Sequence, residues 1–147
     1  MEKRKLKQSI EINAPKQKVW DTMLNDETYR QWTVAFHEGS HAIGNWEEGS
    51  KMIFTDGSGS GMLSRVKSHA QAEELTLEHY GMMKDNKEDL ESDEVKKWAG
   101  SLETYRISES GGKTHLEIEM DITPEYEEYM NEAWKKALEL LKNIAEK

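Results

Sequence analysis

The sequence predicts an α+β domain in which a curved, seven-stranded antiparallel sheet is wrapped around a long C-terminal helix, with two short helices between strands 1 and 2. Three observations predict it. Residues 124–147 repeat apolar side chains at helical spacing, residues 4–12 alternate as a strand does, and residues 36–122 form short strand-like runs between turn-forming residues. We interpret residues 1–147 as a single domain, because that length is enough to bury one core.

The first strand shows one apolar face. Leu6, Ile10 and Ile12 point to one side, with Gln8 as the polar member of that set, and charged or hydroxyl side chains occupy the positions between them. This alternation is typical of a half-buried strand.

Two short helices follow. Pro15 suits a helix start, because the first turn needs no backbone donor there, and Asp26 is expected to cap the second helix. The apolar positions of the two helices are Val19, Trp20, Met23 and Leu24 in the first, and Tyr29 and Trp32 in the second.

The middle of the chain predicts six further strands joined by tight turns. Short connections favour antiparallel neighbours. Residues 84–94 contain one apolar side chain, Leu90, and six acidic ones, so we expect a mobile loop there. The predicted strands are 41–46, 51–56, 62–70, 75–83, 95–108 and 114–122.

The last helix is the best defined element. Thr123 is expected to cap it, Pro124 occupies its first position, and acidic residues follow at its positive end. Its apolar side chains cover half of the helical circumference, so the helix needs a concave partner such as a curled sheet. These side chains are Tyr126, Tyr129, Met130, Ala133, Trp134, Ala137, Leu138, Leu140, Leu141, Ile144 and Ala145.

Composition excludes several classes of function. A formal net charge of −9 opposes binding to nucleic acid, and the only basic cluster is the short one near the N-terminus. The absence of cysteine excludes disulfides and thiolate metal sites. No apolar run is long enough for a signal peptide or a membrane span, so we expect a cytoplasmic protein.

None of the candidate chemical motifs is complete. The run DGSGSG at 56–61 lacks the GK[ST] ending of a phosphate loop and precedes a strand. The five histidines show no metal-binding spacing, although His41 and His79 are both candidates to face inward. The acidic run fails the calcium-loop pattern, and no nucleophile elbow is present. We expect no metal, no cofactor and no assigned catalytic residue.

Several motifs together resemble a known superfamily. They are Ile12–Pro15 followed by Val19, Trp20, Leu24, Tyr29 and Trp32, then 46–50 (WEEGS), 54–56 (FTD), 61–66 (GMLSRV), Trp134 and 138–141. The chain thereby resembles the helix-grip superfamily (SRPBCC), which includes START domains, birch-pollen-allergen-like proteins and polyketide cyclases. More narrowly, it resembles bacterial homologues of the C-terminal domain of the heat-shock-protein-90 ATPase activator. Ala133 stands where that family often has Gly, which affects the width of any cavity there.

The resemblance and the excess of Met, Trp and Tyr lead to three functional hypotheses. The first is a non-catalytic module that holds a small apolar or lipid-like ligand between the sheet and the last helix. The second is an interaction domain for a chaperone partner, and the third is an enzyme of the cyclase or aromatase type in which a cavity His or Tyr does acid–base work. Either a monomer or a homodimer fits the sequence. The candidate cavity residues are Trp46, Phe54, His79, Trp98, Tyr105, Met130 and Trp134.

Overall fold

The computed structural model describes residues 4–147, so the first three residues of the predicted domain and their part of the basic cluster lie outside it. Within this range the chain forms eight strands and four helices in the order βααβββββαββα. The strands are β1 Arg4–Ile12, β2 His41–Ile43, β3 Lys51–Thr55, β4 Gly61–Ala70, β5 Glu74–Lys84, β6 Lys87–Asp89, β7 Ser101–Ser110 and β8 Lys113–Ile122.

All strand pairs are antiparallel and belong to one sheet. Its order is β1-β8-β7-β5-β4-β3-β2, and β6 pairs only with the end of β5. The predicted antiparallel α+β architecture is therefore confirmed, with eight strands in the described range instead of seven. Since β1 lies beside β8, the first described strand runs next to the strand that leads into the last helix.

The two short helices lie between β1 and β2, as predicted. Pro15 is the N-cap residue of the first helix, and Asn25 is that of the second. The prediction that Asp26 caps the second helix was one residue late, because Asp26 is already its first helical residue. The four helices are α1 Lys16–Leu24, α2 Asp26–Thr33, α3 Asp93–Trp98 and α4 Pro124–Ala145.

The acidic segment 84–94 is ordered, so the prediction of a mobile loop was wrong. Asp85 and Asn86 both have positive φ and connect β5 to β6 in a two-residue hairpin turn. Ser92 then caps α3 by accepting a hydrogen bond from the backbone N–H of Val95, and Val95 is fully buried. A good turn and one buried anchor therefore order the segment despite its charge.

Two predicted strands end or begin differently in the structure. The run 95–98 belongs to α3, so β7 begins only at Ser101. The strand predicted at 41–46 stops at Ile43, and Trp46 has φ +62°, which an extended strand does not allow.

Helix α4 packs against the inner face of the sheet and against α1 and α2. Its buried residues include Trp134, Ala137, Leu138 and Leu141, which share one core with residues of β1, β4, β5, β7 and β8. Thr123 occupies the N-cap position, but its side chain makes no capping hydrogen bond. None of the helices between residues 4 and 147 has the length and apolar character needed to cross a membrane.

Candidate ligand-binding site

A cavity of about 560 Å³ lies between the sheet, α2, α3 and the first half of α4. Its wall combines aromatic and methionine side chains with a small set of polar groups. The lining residues are Tyr29, Trp32, Thr33, Phe36, Ser40, Phe54, Gly61, Met62, His79, Met82, Glu94, Trp98, Ser101, Glu103, Tyr105, Met120, Asp121, Ile122, Thr123, Tyr126, Tyr129, Met130 and Trp134.

Trp134 of α4 is the centre of the aromatic wall. Its ring lies 4.8 Å from the ring of Phe36 and 6.0 Å from that of Tyr105, in both cases edge to face, and 5.9 Å from the ring of Trp32. Its indole N–H is directed at the sulfur of Met120 at 3.2 Å. Edge-to-face contacts hold aromatic rings in fixed orientations, so this side of the cavity is preorganised.

An irregularity in the sheet places a histidine in the wall. Along the β4–β5 ladder Leu63 pairs with Gly81, but Ser64 pairs with His79, so Tyr80 is an extra residue in β5. Such a bulge changes which side chains face inward. His79 and Met82, three residues apart, therefore both line the cavity.

Four polar side chains form one buried hydrogen-bonded chain in this wall. Ser64 Oγ lies 2.5 Å from His79 Nδ1, and His79 Nε2 lies 3.2 Å from Glu103 Oε1. Tyr105 donates its hydroxyl hydrogen to Glu103 Oε2. The carboxylate of Glu103 is therefore shared between the phenol of Tyr105 and the imidazole of His79, and the imidazole in turn connects it to Ser64. The side chains of His79 and Glu103 are only 11% and 13% exposed.

The pKa values of two tyrosines reflect the buried, negatively charged surroundings of these hydrogen-bonded side chains. Burial, followed by the negative charge of Glu103, raises the pKa of Tyr105 well above its ordinary value. Burial, again followed by the charge of Glu103, also raises the pKa of Tyr29. Both phenols are therefore neutral at physiological pH, and both lie in the field of the same carboxylate.

The rim of the cavity is formed by exposed residues of two helices. Tyr126 and Tyr129 of α4 are 54% and 59% exposed, although the sequence predicts both on the buried face. Tyr129 donates to the backbone oxygen of Phe36 at 3.0 Å, which ties α4 to the segment after α2. Glu94 and Trp98 of α3 contribute to the same cavity.

Of the seven candidate cavity residues, six line this space: Phe54, His79, Trp98, Tyr105, Met130 and Trp134. Trp46 does not. Its ring lies behind the wall, 5.6 Å from that of Phe54 and 5.7 Å from that of Tyr29. Ala133 is also away from the cavity and faces an outer groove of α4, so the Gly-to-Ala difference does not set the width of this space.

The acidic side chains of the wall are not among the residues predicted from the sequence. Ser101, Glu103 and Tyr105 occupy alternate positions of β7 and line the cavity together. The period of two was a usable signal, since it places Glu103 on the same face as Tyr105 once Tyr105 is taken as inward. His41 does not line the cavity, and no group of His, Asp or Glu within residues 4–147 is arranged to hold a metal ion.

Comparison with protein families identifies the chain at the family level. Residues 13–146 match the model of the family described as "Activator of Hsp90 ATPase homolog 1-like protein". This protein belongs to that family. The match agrees with the predicted resemblance and places the domain in the helix-grip (SRPBCC) superfamily. No curated protein sequence matches the chain.

Solved structures share the fold at low sequence identity. The solution structure of the Aha1 dimer from Colwellia psychrerythraea superposes with a TM-score of 0.74 at 16% identity, covering 97% of this chain and 96% of that one. CalU16 from Micromonospora echinospora gives 0.68 at 17% identity, covering 97% and 76%. DynU16, from the dynemicin biosynthetic locus, gives 0.70 at 12% identity, covering 95% of this chain but 46% of its own. At these identities the likeness extends to the fold alone.

Proposed function

We propose that this protein is a binding module that takes a small, largely apolar ligand into the cavity between the sheet and α4. The observation that carries the proposal is the cavity itself, about 560 Å³ and walled mainly by aromatic and methionine side chains. Ligand sites of proteins are typically apolar clefts of about 300–1,000 Å³ with a few placed polar groups. Methionine side chains adapt to varied apolar shapes, and the aromatic rings add large apolar surfaces in fixed orientations.

The buried polar chain supports recognition of one polar group on that ligand. Glu103 and Tyr105 lie together in a wall that is mainly aromatic and methionine, and His79 lies next to them. A ligand that buries its polar atom against this chain keeps a hydrogen bond that it had in water. A ligand without such an atom cannot form this hydrogen bond and should bind more weakly. The hydrogen-bonded side chains would therefore orient the ligand and select for one that carries a polar group.

Binding of a neutral apolar dye tests the proposal. N-phenyl-1-naphthylamine is uncharged at pH 7 and fluoresces strongly when it leaves water, so titration into the full chain gives an affinity directly. Met130→Trp enlarges a half-buried side chain of the wall and should weaken dye binding by about tenfold, which corresponds to about 1.4 kcal/mol.

Leu140→Trp is the matched control. Leu140 is a half-buried residue of the same helix that does not line the cavity, so this variant should bind the dye like the wild type. Equal binding by both variants, or no binding by the wild type, would contradict the proposal. Circular dichroism checks that both variants fold.

A second candidate is acid–base catalysis of the cyclase or aromatase type, favoured by the continuous chain from Ser64 through His79 and Glu103 to Tyr105. A His and a Tyr bridged by one carboxylate can exchange a proton with a bound substrate. Cyclisation of a linear poly-β-ketone by the wild type, and its loss in His79→Phe and Tyr105→Phe, is the test. Unchanged turnover in both variants would remove this candidate.

Family membership favours a third candidate, stimulation of a chaperone ATPase. The surfaces available to such a partner are the acidic segment 84–94, which the fold presents at β6 and α3, and the sheet edge at β2. Fold alone does not decide this function. An ATPase assay of bacterial Hsp90 with and without the protein tests it, and an unchanged rate together with no chaperone in a pull-down would exclude it.

A further inference from the structure

The charges around the cavity all have one sign. Glu94, Glu103 and Asp121 line it, and none of the described lining residues is Lys or Arg. Asp121 has partners of its own, since Lys5 Nζ lies 2.7 Å from it and it accepts the backbone N–H of Leu102. Glu103 differs from Asp121 in its partners, because its carboxylate is hydrogen-bonded to a tyrosine hydroxyl and a histidine ring of the cavity wall.

The aromatic wall surrounds this carboxylate. Tyr105 donates directly to Glu103, and the ring of Trp134 lies 6.0 Å from that of Tyr105. Trp32 and Phe36 extend the same ring cluster around Trp134. Aromatic faces carry negative partial charge, and they attract an ammonium group within about 6 Å, more strongly where water is excluded.

The field of Glu103 reaches across the cavity. It contributes to the raised pKa of both Tyr29 and Tyr105, so it disfavours a second negative charge on either side. The same field favours a positive charge in the space between them. A net charge of −9 for the whole chain adds a general attraction for cations in solution.

We propose that the ligand of this cavity is a hydrophobic organic cation, an amine or ammonium compound whose charged nitrogen lies among the aromatic rings near Glu103. This inference rests on the proposed binding function and specifies the ligand class. The carboxylate supplies the ion pair, the rings supply cation–π contacts, and the methionine and aromatic wall covers the apolar part of the ligand.

An isosteric series isolates the charge. The three probes are 2-naphthylmethylamine, which is protonated at pH 7, the neutral 2-naphthalenemethanol, and the anionic 2-naphthoate. Isothermal titration calorimetry at low salt, with the full chain, should give the amine about tenfold higher affinity than the alcohol, which is the scale of one partly desolvated cation contact. The carboxylate should bind more weakly than the alcohol.

Glu103→Gln keeps the size of the side chain and removes its charge. It should reduce the preference for the amine over the alcohol to about twofold or less, because only the cation–π part remains. Glu139→Gln removes the same charge from the outer face of α4, outside the cavity, and should leave the preference unchanged. The control separates a local ion pair from the attraction of a generally acidic surface.

The outcomes distinguish the two proposals. Equal or tighter binding of the alcohol, or an equal loss of amine binding in Glu103→Gln and Glu139→Gln, overturns the cation assignment. If Met130→Trp still weakens dye binding in that case, while Leu140→Trp does not, the binding function stands. If neither the dye nor any naphthyl probe binds, both proposals fail. If Glu103→Gln does not fold, the affinities of the wild-type protein for the three naphthyl probes still test whether the ligand is a cation.

Discussion

The two halves of α4 belong to one amphipathic helix but have different surroundings. In the C-terminal half, Ala137, Leu138, Leu141 and Ala145 are at most 2% exposed and belong to the closed core. In the N-terminal half, the corresponding face borders the cavity, Met130 is half-buried, and the preceding tyrosines are exposed. One half of the helix therefore completes the core, and the other half closes only one side of an open space.

Because the two halves of α4 are packed differently, one half of the helix contributes mainly to stability and the other mainly to binding. Close packing requires side chains that fill the space between helix and sheet, as the C-terminal half does. At the N-terminal half the aromatic residues contact one another at ring distances of 4.8–6.0 Å and leave a volume that they do not fill. Substitutions in the C-terminal half of α4 should therefore mainly change the stability of the fold, and those in the N-terminal half should mainly change binding.

The largest expected effect is a loss of stability at the packed half. Leu141→Ala should lower the free energy of unfolding by about 2–5 kcal/mol, because it leaves a cavity in a core that is already closed. Met130→Ala should cost about 1 kcal/mol, because half of that side chain borders existing space. Urea unfolding of both variants measures the difference. Equal losses would show that the two halves pack alike.

A smaller effect is expected in the polar wall of the cavity. Ser64→Ala leaves Nδ1 of His79 without its hydroxyl partner, so it should cost about 1–3 kcal/mol despite removing only one oxygen. Ser108→Ala, at an exposed position of β7, should change stability by about 0.5 kcal/mol or less. A matching small loss in Ser64→Ala would mean that the polar chain contributes nothing to the folded state. Chemical denaturation of both variants supplies the numbers.

Tyr29 of α2, which faces the N-terminal half of α4 across the cavity, should determine part of the loss of stability at alkaline pH. The pKa of Tyr29 is raised in the folded state, so above the ordinary tyrosine pKa of about 10 the unfolded chain has lost a proton that the native chain retains. Stability is therefore complete below that pH and falls as the pH rises through it. Tyr29→Phe should reduce this slope by up to about 1.4 kcal/mol per pH unit, measured by urea unfolding from pH 7 to 11. Parallel curves for the two proteins would contradict this assignment.

Most of the fold could be predicted because its signals are local. The alternation of Leu6, Ile10 and Ile12 and the helical period of the last segment specify elements directly. The acidic segment was misread because composition was given more weight than turn chemistry. Asp85 and Asn86 form a two-residue hairpin turn, and the single buried side chain of Val95 anchors α3. One buried residue is enough to order a charged segment when its turn and its cap are both good.

The site was predictable only in part because it depends on register. Periodicity indicates the inward face of β7, but the position of His79 depends on the bulge at Tyr80. Gly81, which follows Tyr80, is a sequence signal for an irregularity in the strand, but it does not specify which residue is the extra one. The exposure of Tyr126 and Tyr129 depends on where the sheet stops covering α4, and a helical wheel contains no information about that. Trp46 was predicted to line the cavity and does not, because its backbone has a left-handed conformation that is uncommon for a tryptophan.

The smallest expected effect is a gain in stability at Thr123, the N-cap residue of α4. Thr123 was expected to cap α4, but its Oγ1 is buried and has no hydrogen-bond partner among the described residues. Thr123→Val keeps the shape of the side chain and removes that unpaired oxygen, so it should be neutral or stabilising by up to about 1 kcal/mol. Thr114→Val is the matched control, because the hydroxyl of Thr114 donates to the backbone oxygen of Ala14 at 2.7 Å and its loss should cost about 1 kcal/mol. Thermal and urea unfolding of both variants measure whether the free energy of unfolding rises or falls. An equal loss of stability in the two variants would mean that the hydroxyl of Thr123 is hydrogen-bonded after all.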